Sequence, residues 1–174
     1  NYVFPEKVVA AGLADTPAPI PYAQGTLVLW ARKDSPLQPL TQNTLSEARV
    51  KSVAIADPLH APYGLAAVQV LKAMHVYETL KPRLVQAENV AQAAQFAESG
   101  NAELGMISMT LAASTRMKQE GTFIRMPNVY PPLRQCAVVM KSSAHRTEAH
   151  AFLDWLRSPG VQENLPKFGL DPVH

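Results

Sequence analysis

The residues best suited to chemistry lie in Val53-Ala54-Ile55-Ala56-Asp57-Pro58-Leu59-His60-Ala61-Pro62-Tyr63-Gly64-Leu65-Ala66-Ala67. The pattern is echoed by Leu84-Val85 followed by Glu88-Asn89-Val90-Ala91-Gln92-Ala93. Each is a short apolar run that ends in a polar turn and continues in a helical pattern. The first turn of a helix leaves backbone N–H groups without intrahelical acceptors. The helix dipole adds positive potential at the same place. Two such helix starts facing one cleft make an anion site that needs neither Lys nor Arg. The chemistry to expect is reception of an oxyanion before catalysis.

The other reactive side chains offer less. Asp57 precedes Pro58, where an Asp side chain commonly caps the turn. His60 reads as an exposed loop histidine, with gating or metal binding as the sharper alternative. His75, His145, His150 and His174 show no metal-ligand spacing with Cys or carboxylates. Ser108, Thr110, Ser114 and Thr115 lack the Gly-x-Ser-x-Gly setting of a hydrolase nucleophile. Neither the Walker phosphate loop nor the Gly-x-Gly-x-x-Gly dinucleotide fingerprint occurs. Met106, Met109 and Met117 read as core rather than copper ligands.

Strands must bring those turns together. Residues 1–13 read as a short helix, with Pro5 in its first turn and Gly12 near its end. Residues 14–25, with Pro17, Pro19 and Pro21, read as an extended connector. Strands are expected at 26–31, 52–56, 84–85, 102–108, 123–126 and 136–140. Helices are expected at 45–50, 63–75, 90–98, 111–118, 148–157 and 161–168. This alternation predicts an α/β fold with mostly parallel strands, whose C-terminal ends share one sheet edge.

Composition bounds the function. The 174 residues suffice for one domain or two small lobes, and the 47% apolar content allows a packed core. A net charge of +2 with scattered Lys and Arg argues against nucleic acid or a membrane surface. Cys136 stands alone in the apolar run 136–140, so it forms no intrachain disulfide and reads as buried packing. Apolar runs fall short of the ~20 residues a membrane helix needs. No signal-peptide pattern is read, and the start at Asn1 reads as a processed or cut terminus.

Taken in order, several segments resemble the periplasmic molybdate-binding proteins of molybdate ABC importers. They are Ala56-Asp57-Pro58-Leu59-His60-Ala61-Pro62-Tyr63-Gly64, Glu88-Asn89-Val90-Ala91-Gln92-Ala93, Glu98-Ser99-Gly100-Asn101-Ala102-Glu103-Leu104-Gly105, Ala151-Phe152-Leu153-Asp154-Trp155-Leu156-Arg157-Ser158-Pro159 and Lys167-Phe168-Gly169-Leu170. The resemblance implies a two-lobed, periplasmic-binding-protein-like α/β fold that closes on a tetrahedral oxyanion. It carries over two backbone N–H donors, at Tyr63 and Val90, whose bland alternative is ordinary first-turn helix positions. At a later strand end some members use a Tyr hydroxyl, and here that position is Ser108. Molybdate and tungstate are fully deprotonated dianions at neutral pH, so a shell of neutral donors suffices. Phosphate carries a proton and needs an acceptor; sulfate is excluded by cavity size.

The resemblance also implies a departure. The family begins with a strand, a hydroxyl-bearing turn, a helix and a second such turn, and Asn1 stands just after them. Residues 27–125 then correspond to a complete second lobe. Residues 1–26 are a first-lobe remnant lacking its N-terminal strands, and 126–174 form a hinge and the return to that lobe. Crossings near Gly25 and 128–132 are the candidate hinges. The expected activity is binding of molybdate or tungstate between the lobes for delivery to an ABC permease, impaired in this chain because first-lobe donors are missing. The expected location is the periplasm. Neither enzymatic activity nor a cofactor is implied, and self-association through the open lobe is the other expected contact. Two rival readings stay open: the effector-sensing module of a transcription regulator, and a small α/β enzyme with a helix-terminus phosphate site.

Overall fold

The computed structural model describes residues 2–173. Helix α1 (Val3–Ala10) ends before Gly12, whose φ of 71° suits glycine. Strands β1 (Ile20–Gly25) and β2 (Leu27–Arg32) follow almost without a break, then β3 (Val53–Ala56), α2 (Pro62–Ala73) and the short α3 (Tyr77–Leu80). Next come β4 (Leu84–Ala87), α4 (Val90–Ser99), β5 (Leu104–Ser108), α5 (Met109–Ala112), α6 (Thr115–Glu120) and β6 (Gly121–Arg125). The chain finishes with β7 (Leu133–Ala137), α7 (Arg146–Leu156), α8 (Pro159–Gln162) and β8 (Leu170–Asp171). Two compact units result: Thr26–Pro131, and the residues on either side of it.

The unit Thr26–Pro131 is built on a five-stranded sheet in the order β4-β3-β5-β2-β6. Strand β3 runs parallel to β4 and β5, whereas β2 is antiparallel to both β5 and β6. The mostly parallel sheet expected from the sequence is therefore corrected to a mixed one. The cause is connectivity. Helices carry the chain from β3 to β4, from β4 to β5 and from β5 to β6, and helical crossovers impose parallel strands. Strand β2 enters directly from β1 and leaves through irregular chain, so nothing forces its direction.

Leu27, Val28, Leu29, Trp30 and Ala31 of β2 are all fully buried. A strand covered on both faces reads as an unbroken apolar run. Val28 and Trp30 pack with Ala93, Ala94 and Ala97 of α4 and with Ala112 and Met117. Helix α2 packs on β3, β5 and β2 through a stripe that includes Ala66, Ala67, Val70 and Leu71.

In the flanking unit β1 is the centre of an antiparallel sheet, β7-β1-β8. The connector expected at 14–25 thus contains a strand. Its Pro21 is tolerated because the register shifts between Pro21 and Ala23, and because β8 pairs only with Gln24 and Gly25. The strand expected at 136–140 lies instead at 133–137, where it follows the register of β1. Cys136 is half-buried rather than fully packed, and burial pushes its thiol up. His150 of α7 meets Asp15 at 3.0 Å and holds that carboxyl below the usual range.

Three helices differ from expectation. The one at 45–50 is a single 3-10 turn, Thr44–Ser46. The one at 111–118 breaks before Ser114, which caps α6 through the Met117 N–H. The one at 161–168 divides into α8 and a 3-10 turn, Leu165–Phe168, whose Pro166 lacks the N–H a continuous helix would use.

Candidate functional site

Strands β4, β3 and β5 are parallel neighbours, so their C-terminal ends lie along one edge of the sheet. Tyr63 follows the end of β3, Val90 follows the end of β4, and Ser108 ends β5. The chain steps from β3 outward to β4, then back across β3 to β5. Right-handed crossovers place α2 and α4 on opposite faces of the sheet as a result. The gap between two strands whose helices leave to opposite faces is the usual ligand crevice of an open α/β sheet. The first turns of α2 and α4 follow the C-terminal ends of the neighbouring strands β3 and β4.

The two turns reach their shape differently. Before α2, Ala61 offers no side-chain cap and Pro62 fills the first helical position. Proline has no N–H, so Tyr63 is the first donor of the helix. Gly64 lets this turn press on the end of β3. A Cβ there would lie 2.7 Å from the Ala56 carbonyl carbon and 2.8 Å from that of Asp57, and would overlap the Ala56 oxygen. The Asp57 N–H donates to the Ala87 carbonyl at 2.7 Å and ties the exit of β3 to that of β4.

Before α4, Asn89 is a true cap: its Oδ1 accepts from the Gln92 N–H at 3.0 Å. Gln92 answers with Oε1, which accepts from the Glu88 N–H at 2.7 Å. This reciprocal arrangement resembles a capping box. It leaves the Val90 and Ala91 N–H groups, like that of Tyr63, without an acceptor among the described residues. Asn89→Ala is expected to lower stability by about 1 kcal/mol, the usual worth of an N-cap. Urea denaturation measures it, and no loss would mean that the cap does not hold the turn.

Ser108 is buried, and its Oγ accepts from the Leu111 N–H at 3.3 Å. The hydroxyl hydrogen stays available for donation. Across the sheet Ser108 pairs with Leu27, whose N–H donates to the buried Tyr130 hydroxyl at 2.9 Å. Burial pushes the Tyr63 phenol up to about 12, with Tyr130 adding to the shift. The phenol is thus a neutral donor at physiological pH. Gly64 and Gln92 stood inside the segments singled out from the sequence but were given no role of their own, and Tyr130 was read only as part of a crossing. Only Gln92, three residues after Asn89, carried a readable signal. Among the described residues no group of three or more His, Cys, Asp or Glu side chains is placed to hold a bare metal ion. His60 is exposed and engaged with Asp57.

The family model described as bacterial extracellular solute-binding protein matches residues 1–171. The chain belongs to that family. Among relatives of this solute-binding protein, the molybdate-binding protein ModA of Rhodobacter capsulatus is 37% identical over 166 residues, covering 95% of this chain and 64% of that protein. The protein of the same name from Azotobacter vinelandii is 34% identical over 166 residues, covering 95% of this chain and 66% of that one. The solved Azotobacter vinelandii periplasmic molybdate-binding protein superposes with a TM-score of 0.85 at 32% identity, covering 98% of this chain and 74% of that one. The α/β fold of this solute-binding protein is thus that of its molybdate-binding relatives, and the chain spans slightly less than two thirds of the length of the two curated relatives. No helix among the described residues is long and apolar enough to cross a membrane.

Proposed function

We propose that the chain binds a tetrahedral oxyanion, molybdate or tungstate, through the backbone N–H groups of Tyr63 and Val90, with the Ser108 hydroxyl as a third donor. The observation that carries this reading is a pair of helix N-termini after the neighbouring parallel strands β3 and β4, each with an unsatisfied N–H and neither turn holding a Lys or Arg. A donor-only shell suits a fully deprotonated dianion and disfavours an oxyanion that keeps a proton. Relatives named for molybdate binding support the choice of ligand. Asp57 and His60 are engaged with each other and with the turn, which supports binding over proton transfer and a non-enzymatic role. The setting that fits is periplasmic capture for an ABC permease, with no cofactor.

The unit Thr26–Pro131 serves in this reading as one lobe, and the flanking residues belong to the other. All three donors named here come from that one unit.

Amide NMR of the ¹⁵N-labelled chain, titrated with molybdate, tests the proposal. Saturable shifts at Tyr63 and Val90 are expected with molybdate and tungstate, and none with phosphate. Shifts that miss both amides, or that phosphate reproduces, would overturn it.

A further inference from the structure

An anion is built into the turn that would receive one. Asp57 lies where β3 gives way to the approach to α2, and four of its polar groups are committed. Its N–H reaches Ala87, as described above. Its carbonyl accepts from the Ala61 N–H at 2.8 Å and from the His60 N–H at 3.3 Å. Its Oδ1 accepts from the Leu59 N–H at 2.9 Å, and its Oδ2 meets His60 Nδ1 at 2.7 Å. An ionised carboxylate only accepts, so Nδ1 carries the proton and His60 donates. The Asp57 side chain is only 20% exposed, against 79% for His60.

The carboxylate could have done something else. An acidic side chain at a helix start commonly occupies the free N–H groups itself. Helix α2 has no side-chain cap, although the Asp57 backbone lies against its first turn at Gly64. Both carboxylate oxygens are turned to Leu59 and His60 instead, which leaves the Tyr63 N–H open. The His60 hydrogen bond, followed by that of Leu59, holds the Asp57 carboxyl below its usual range, so the charge persists at neutral pH. Gln86 of β4 also hydrogen-bonds this carboxylate.

We propose that Asp57 is the positioning residue of the oxyanion site and His60 its compensating donor. The carboxylate shapes the turn that aims the Tyr63 N–H, and the imidazole N–H offsets the repulsion the carboxylate would exert on a bound dianion. This inference rests on the reading of Tyr63 and Val90 as donors. It assigns to Asp57 two opposed effects, one geometric and favourable, one electrostatic and unfavourable.

Substitutions separate the two effects. The same molybdate titration of the whole chain, read at the Tyr63 and Val90 amides, is run on wild type, Asp57→Asn, Asp57→Ala and His60→Ala. Asparagine keeps an acceptor for the Leu59 N–H and removes the charge, so binding should tighten about threefold, as expected for a screened nearby charge. Alanine removes the acceptor as well, and binding should weaken about fivefold, as for a lost hydrogen bond. His60→Ala uncovers the carboxylate and should weaken binding about threefold. A purely structural Asp57 would never make the asparagine variant the tighter binder. If wild type shows no saturable shift at either amide, the site itself is misassigned. If wild type binds and the asparagine variant is no tighter, the assignment to Asp57 fails while the site stands. Should the alanine variant not fold, the order asparagine, wild type, His60→Ala still decides.

Discussion

Trp30→Ala is expected to cost about 3–5 kcal/mol of unfolding free energy, the range for truncating a buried aromatic side chain. Trp30 is fully buried in the middle of β2 and packs in the cluster that includes Ala93, Ala94 and Ala97 of α4. Those alanines are too short to reach into the void that truncation would leave. The indole Nε1 donates to the Met117 carbonyl at 3.2 Å, and truncation removes that bond, leaving the carbonyl to the Gly121 N–H alone. Gly121 adds a further sign of tight fit, since a Cβ there would overlap the Trp30 ring. Urea denaturation followed by circular dichroism measures the loss. The chain has two tryptophans, and the other, Trp155, is 56% exposed and lies in the flanking unit. Trp155→Phe therefore leaves Trp30 as a fluorescent reporter of Thr26–Pro131 alone, which shows whether the two units unfold together. A loss below about 1 kcal/mol would mean that the cluster collapses onto the void, contrary to the packing described here.

The elements around this core were legible because their signals are local. Residues 26–31 read as a buried strand from apolar content alone, and the structure places it one residue later, at Leu27–Arg32. Gly100 and Asn89 bracket α4 through a left-handed C-cap and a side-chain N-cap, both visible as residue types. Strand direction is not encoded in periodicity. The alternation of strands and helices implied mostly parallel neighbours, and it failed at β2, where no helix intervenes between β1 and β2. The proline-rich stretch 14–25 failed for a related reason. Pro21 counts against a strand unless a bulge and a missing neighbour accommodate it, and both are tertiary facts.

The candidate site divides along the same line. A polar turn between a strand and a helix marks an N-terminus that can hold an anion, and both such turns were readable. That the two turns follow neighbouring parallel strands depends on strand order, which only the structure provides. Ser108 was named by position, and only the structure shows that its Oγ caps the following turn through the Leu111 N–H. Tyr130 sits in the run Asn128-Val129-Tyr130-Pro131-Pro132, where it reads as part of a crossing. Its bond to Leu27, across 103 residues of sequence, could not be inferred from either segment.

Gly64→Ala sets local propensity against tertiary contact, and the two predict opposite signs. In an exposed helix, alanine for glycine stabilises by about 1 kcal/mol. Gly64 stands in the first turn of α2 and is buried, and its left-handed freedom is not in use, so propensity alone favours alanine. The contact overrides this. The new Cβ would meet the Ala56 and Asp57 backbone, at 2.7 and 2.8 Å from their carbonyl carbons. Backbone that is paired in the sheet cannot rotate away as a flexible side chain would. The first turn of α2 must therefore lift from the end of β3, and the Tyr63 N–H moves with it. A net destabilisation of about 2–3 kcal/mol is expected, as for overpacking a filled core. Urea denaturation gives the stability, and the Tyr63 amide shift on adding molybdate gives the consequence for the site. The shift at Tyr63 should weaken far more than that at Val90, because the atoms nearest the new Cβ belong to Ala56 and Asp57 at the β3–α2 turn. An alanine variant as stable as wild type, with both amides responding as before, would mean that α2 does not rest on the end of β3, and the geometry assigned to the Tyr63 donor would go with it.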